Sequence, residues 1–190
     1  SSDVQEYDPS TNSWRQCAPI PTPRRDFATA VLNGKLYAIG GDSRDGDNLT
    51  SLEAFDPITD TWEILPSLPE PRRSGAAVAF QGKLHMLGGD NGNQYLATHL
   101  VYDPATQQWS ELSEFGDPRT AFSAVVANSE LFIVGDDYID PIKVYVPSTD
   151  TWEGRGEFVE AFIYSGSVVI GNDIHIIGSD GQDHKHHVFN

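Results

Sequence analysis

Cysteine is almost missing from these 190 residues. Cys17 stands alone, so no disulfide can close within the chain, and a reducing, cytoplasmic compartment suits it. No run of 18 apolar residues occurs, so no transmembrane helix is expected. No secretory apolar segment opens the chain, and Ser1 in place of Met reads as a processed or trimmed end. Basic residues are scarce, with 12 Lys and Arg against 28 Asp and Glu and a net charge of −16. That balance argues against a broad nucleic-acid or anionic-membrane surface, both of which need clustered cations. It suits solubility. Helical periodicity is absent as well. What the chain does have is 17 Gly, 12 Pro and 11% aromatics, a composition for many short strands and tight turns.

One phrase recurs. An aromatic is followed by Asp-Pro, a turn, and a Trp seven positions after the aromatic: Tyr7-Asp8-Pro9 to Trp14, Phe55-Asp56-Pro57 to Trp62, and Tyr102-Asp103-Pro104 to Trp109. A worn copy runs from Tyr145-Val146-Pro147 to Trp152. All four tryptophans sit in this phrase, 48, 47 and 43 positions apart. A period of roughly 20–50 residues signals a repeat architecture.

Between the phrases lies a second repeating segment. A small-residue run (Phe27 to Leu32) meets Asn33-Gly34, then an apolar run (Lys35 to Ile39) that ends on Gly40-Gly41. Asn-Gly between two apolar runs is a strong hairpin signal. The next unit repeats it with Gly75 to Phe80, Gln81-Gly82, Lys83 to Leu87 and Gly88-Gly89. The third keeps Ala121 to Ala127 with Asn128-Ser129, and its glycine pair becomes Gly135-Asp136; the fourth runs from Ser165 to Gly178-Ser179. Each unit therefore reads as four short antiparallel strands, a to d, and units of this length describe the blades of a β-propeller. Small residues on strand a suit the crowded axis. The aromatics and tryptophans of strands c and d are wedges between sheets, each burying about 150–250 Å².

The double glycines 40–41 and 88–89, the aromatics Tyr7, Phe55, Tyr102 and Tyr145, and the tryptophans 14, 62, 109 and 152 together resemble the kelch repeat. With Pro-Arg before strand a, the chain is most similar to the kelch domains of BTB-kelch substrate adaptors, though no BTB or BACK segment is present. The expected fold is all-β, one kelch propeller domain over 1–190. Its repeats fall at about 1–22 (strands c and d), 23–70, 71–117, 118–160 and 161–190 (strands a to c). The two ends are expected to join into one blade and close a ring of about four; the alternative is part of a larger, six-bladed ring.

Five of the eight arginines (Arg24, Arg25, Arg72, Arg73, Arg119) precede strand a. The register reads Arg25, Arg73 and Arg119 as one equivalent position, with Ile163 in the fourth unit. Guanidinium groups match carboxylate or phosphate in planar, bidentate fashion, and the resemblance implies an acidic peptide motif as the partner. The competing reading is that these arginines bond to carbonyls or acids of neighbouring blades and lock the loops. Acids open the b–c loops at Asp42, Asp90, Asp136, Asp137 and Asp180. The run from Asp42 to Asn48 hints at calcium but reads as turn formers. His184, His186 and His187 read as a polar strand rather than a zinc site. No cofactor, metal site or catalytic residue is assigned. The reading is a protein-interaction module and not an enzyme. Two alternatives remain: a sialic-acid-type mutarotase with an Arg-lined pocket, for which Glu70, His85 or His99 are the acid–base candidates, and a scaffold that recruits a chain, or self-associates, at open strand edges.

Overall fold

The computed structural model describes residues 2–135, 141–157, 163–179 and 183–189, with backbone alone at 141, 157 and 163–165. Every regular element among them is a strand. An N-terminal hairpin pairs β1 (Val4–Asp8) with β2 (Ser13–Cys17). Three complete four-stranded antiparallel blades follow. The first contains β3 (Ala28–Leu32), β4 (Lys35–Ile39), β5 (Leu52–Asp56) and β6 (Thr61–Leu65). The second contains β7 (Ala76–Phe80), β8 (Lys83–Asp90), β9 (Tyr95–Asp103) and β10 (Gln108–Leu112). The third contains β11 (Ser123–Ala127), β12 (Glu130–Val134), β13 (Pro141–Val146) and β14 (Thr151–Glu157). The fourth is three-stranded: β15 (Ile163–Ile170), β16 (Asp173–Ser179) and β17 (His184–Phe189).

Turn chemistry sets the strand ends. The a–b hairpins turn on two residues with positive φ, Asn33-Gly34, Gln81-Gly82 and Asn128-Ser129, as two-residue hairpins between twisted strands require. At the c–d turn the Asp of the phrase accepts the backbone N–H two residues on, at 2.8 Å for Ser10, 2.9 Å for Ile58 and 2.9 Å for Ala105. This Asx turn is why Asp precedes Pro in those three copies. In the worn copy, Val146 supplies only its carbonyl, to Thr149.

The aromatic and the Trp are cross-strand partners in all four copies (Tyr7↔Trp14, Phe55↔Trp62, Tyr102↔Trp109, Tyr145↔Trp152). Their ring centroids lie 5.1–5.2 Å apart. The core is laid down between sheets. Tyr37, Leu52 and Leu68 of the first blade pack with Met86, Leu100 and Tyr102 of the second. Leu87 and Phe80 of the second pack with Leu131, Ile133 and Tyr145 of the third. Val144 and Phe132 of the third pack with Ile174 and Ile176 of the fourth. Each internal Trp also donates its indole N–H to a carbonyl just after strand d of the preceding unit: Trp62 to Ala18 at 2.9 Å, Trp109 to Pro66 at 2.9 Å, Trp152 to Ser113 at 3.1 Å. Strands β3, β7, β11 and β15 contact one another in succession as the inner strands.

The four sheets are arranged as a β-propeller, and among the described residues the strands of the two ends do not pair into one sheet as expected from the sequence. The hairpin β1–β2 and the sheet β15–β17 are separate sheets. Among the described residues, β17 pairs only with β16 and β1 only with β2. Both β1 and β17 are c strands of their units, so the two ends overlap instead of supplying complementary halves of one blade.

Candidate functional site

The d–a connectors carry the arginines, and hydrogen bonding fixes which positions correspond. The carbonyls of Arg72 and Arg119 accept from the amides of Gly41 and Gly89, each at 2.8 Å, and their own amides donate to Leu49 and Leu96. Asp26, Ser74 and Ala121, two positions further on, share a positive φ of 52–55°. Arg119 therefore corresponds to Arg24 and Arg72, and Thr120 stands where Arg25 and Arg73 do. This corrects the sequence register, which set Arg119 beside Arg25 and Arg73. The proline was the better anchor: Pro23, Pro71 and Pro118 align directly. The side chain of Ile163 lies outside the described residues.

The two arginine positions behave differently. Arg24, Arg72 and Arg119 are buried. Arg24 donates to the carbonyls of Gly40 (2.9 Å) and Ser51 (3.2 Å) and pairs with the buried carboxylate of Glu53 at 2.9 Å. Arg72 donates to Gly88 O at 3.2 Å and Thr98 Oγ1 at 2.9 Å, and pairs with Glu70 at 2.8 Å. Desolvation pulls the pKa of both guanidiniums down, against the opposing charge of Glu53 or Glu70. With carbonyls and acids as their partners, Arg24 and Arg72 lock a connector to the b–c edge of their own blade.

Arg25 and Arg73 point outward. Arg73 donates to Asp90 Oδ2 at 2.9 Å and to Asp42 Oδ2 at 3.1 Å, so it bridges two blades. Hydrogen bonds to Asp90 and then Asp42 raise its pKa. Arg25, its side chain 67% exposed, reaches the same Asp42 oxygen only at 3.4 Å. Asp42 itself is buried, so the acid that opens the first b–c loop serves as an anchor for arginines. The remainder of that loop is held by Ser43, whose hydroxyl accepts from the amides of Asp45 and Asp47. Among the described residues, no group of three or more potential ligands converges on a metal position. Asp136, Asp137 and Asp180 lie outside the described residues.

A cleft of about 570 Å³ opens beside Arg25, walled by Ser2, Pro23, Arg24, Arg25, Asp42, Ser43 and Arg44. Three arginines and one aspartate line it, in a chain of net charge −16, but the Arg24 side chain is out of solvent and paired with Glu53. Arg44 was not singled out in the sequence. Only its place in the loop beside Asp42 and Ser43 brings it to the cleft.

The glycine pairs hold these connectors together. Gly40 and Gly41 have φ of +62° and +96°, and a Cβ on them would stand 2.3 Å from Arg72 O and 2.6 Å from Arg25 O. Gly88 and Gly89 face Arg119 O and Arg73 O in the same way, at 2.8 and 2.6 Å. Each pair is thus the crossing point of two successive arginine connectors. The acid–base candidates lie elsewhere. His85 and His99 are buried against each other, Nδ1 to Nε2 at 2.7 Å, beneath Tyr145 and Trp152. Burial holds both neutral, at about 4 for His85 and about 3 for His99, the latter lowered further by its neighbour. Glu70 is taken up by Arg72.

Successive four-stranded sheets with wedged Trp pairs and glycine-crossed connectors define a β-propeller. A family model described as the KLHDC2/KLHL20/DRC7 Kelch-repeats domain matches residues 1–136. The chain belongs to the kelch-repeat family. It is 45% identical over 53 residues to the F-box/kelch-repeat protein At1g67480 of Arabidopsis thaliana, covering 28% of this chain and 14% of that protein. It is 47% identical over 45 residues to human Kelch-like protein 15, 24% of this chain and 8% of that one. It is 45% identical over 47 residues to the human Influenza virus NS1A-binding protein, 25% and 7%. The matched stretches thus span 14% or less of these relatives' lengths. Kelch-repeat relatives are protein-interaction modules.

Proposed function

We propose that this chain is a protein-binding module that takes an acidic peptide segment at the cleft beside Arg25. The observation that carries the reading is the local concentration of exposed arginine: Arg25 and Arg44 line the cleft with Asp42 as the one acid in its wall, in a protein of net charge −16. Arg24 is already paired with Glu53, which leaves Arg25 and Arg44 as the anion contacts. The backbone of Arg25 is held to that of Asp42 by reciprocal bonds, at 3.1 and 2.8 Å, which fixes the point from which its side chain projects. Arg73, braced between Asp42 and Asp90, supports the cleft wall. Arg72 and Arg119, being buried, take no part in contact.

The ligand side gives the test. A labelled peptide rich in Asp and Glu is titrated by fluorescence anisotropy against its Asn and Gln counterpart, at low and at physiological salt. The reading predicts binding of the acidic peptide only, weakening as salt screens exposed charge over a Debye length of about 8–10 Å. Equal affinity for both peptides would remove charge recognition from the account.

A further inference from the structure

Two Asn-Gly steps occur among the described residues, in different surroundings. Asn33-Gly34 is the a–b hairpin turn of the first blade, with φ of +52° and +77°. Asn91-Gly92 lies in the b–c loop of the second blade, between β8 and β9. There the neighbouring groups are held around the Asn91 side chain. Asp90 Oδ1 accepts the N–H of Gly92 at 2.7 Å. Its other oxygen, Oδ2, accepts from Arg73 at 2.9 Å, so the carboxylate is braced in that direction. The side-chain carbonyl of Asn91 accepts the N–H of Asn93 and of Gln94, each at 3.0 Å. Its amide group donates to Glu70 Oε2 at 3.4 Å, and Glu70 Oε1 is held by Arg72 at 2.8 Å.

An asparagine side chain can be attacked by the amide nitrogen of the residue that follows it. Gly in that place offers no side chain to obstruct the ring closure. The step needs a base for the attacking N–H and donors on the carbonyl oxygen, where negative charge develops. A positioned base works within about 2.6–3.2 Å of the group it deprotonates, and oxyanion donors work at about 2.7–3.1 Å. Asp90 meets the first condition, and the amides of Asn93 and Gln94 meet the second. Asn91 is half-buried and Gly92 is exposed, so water reaches the loop.

We propose that Asn91 is a site of self-promoted deamidation, driven by the groups the fold sets around it and not by the dipeptide alone. Asp90 takes the proton from Gly92 N, and a bond forms between that nitrogen and Asn91 Cγ. The amides of Asn93 and Gln94 hold the charge on the oxygen. The Cγ–Nδ2 bond then breaks, and ammonia leaves with the proton returned to it through water. Water opens the resulting cyclic imide at either carbonyl and leaves aspartate or isoaspartate at position 91. Both products set a carboxylate beside Glu70, where an N–H donor stood. Isoaspartate also adds one carbon to the main chain of the loop.

The test is peptide-mapping mass spectrometry of the chain aged at neutral pH and 37 °C in ¹⁸O-labelled water, with conversion at positions 91 and 33 followed in the same sample. A parallel sample is aged in guanidinium chloride, which removes the loop and leaves the two dipeptides. In the folded chain, conversion at 91 is expected to exceed that at 33 by about tenfold or more, part of the roughly hundredfold that a positioned base supplies. In denaturant the two rates are expected to converge, with 91 slower than in the folded chain. Asp90→Asn keeps the outline of the side chain and removes the base. With circular dichroism showing it folded, its rate at 91 is expected to fall toward the denatured value. Equal rates at 33 and 91 in the folded chain, or a faster reaction at 91 in denaturant, would overturn the proposal. So would a folded Asp90→Asn that converts position 91 as fast as the wild type.

Discussion

Two buried charged or titratable pairs carry the account at the scale of single residues. Arg24 and Glu53 are both out of solvent, and removing one partner of such a pair leaves an uncompensated charge. Glu53→Ala is expected to cost about 3–5 kcal/mol in urea unfolding, whereas replacing both with apolar residues of similar size costs far less. The second blade shows that the arginine tolerates another solution: Leu100 stands at the position of Glu53, and Arg72 turns to Glu70 instead. His85 and His99 give a pH signature. Their folded pKa values, about 4 and about 3, lie below the unfolded value of about 6.5. The folded state therefore binds fewer protons, and the stability from this pair is present above pH 6.5 and is lost as pH falls from there toward the folded values. Each unit of depression corresponds to about 1.4 kcal/mol. Melting temperature measured from pH 7 down to 5 is expected to fall in the wild type. It should fall less in His99→Leu, which carries the residue that stands at the same position, Leu52, in the first blade.

Strands and turns meet the next unit through the tryptophan bond and the glycine crossing. Trp62→Phe or Trp152→Phe keeps the wedge and deletes one hydrogen bond to the preceding unit. A loss of about 0.5–1.5 kcal/mol in chemical denaturation is expected for either. Trp14 is 67% exposed, and Trp14→Phe is expected to leave the stability of this chain unchanged. The glycines separate in the same way. Gly34→Ala meets open space and strains only a turn at φ of +77°, a cost of about 1 kcal/mol. Gly40→Ala drives a methyl group into Arg72 O and is expected to unfold the crossing between the first two blades, seen as a much larger fall in melting temperature.

Across the whole molecule, the architecture was legible because it is written four times. The Tyr-to-Trp interval, the Asn33-Gly34 turn and the paired glycines set strand type, strand order and inter-sheet packing. Closure was not legible: the sequence shows a c strand at each end, near Tyr7 and near Phe189, but not whether the two ends pair. The arginine set was legible in kind but not in register: Arg119 follows one proline and stands alone, where the other connectors carry two arginines. The histidine pair was not legible at all, since His85 and His99 come together only through the cross-strand pairing of β8 with β9.

The cleft beside Arg25 is the centre of the functional account, and the protein side of that contact tests it most directly. Affinity for an acidic peptide is measured for the wild type, Arg25→Glu and Arg44→Glu, together with melting temperature. The account predicts a loss of about tenfold or more, equivalent to about 1.4 kcal/mol, for each variant, with the melting temperature unchanged in Arg44→Glu and lowered in Arg25→Glu, which sets a second carboxylate beside buried Asp42. Unchanged affinity in both variants, with the fold intact, would contradict it.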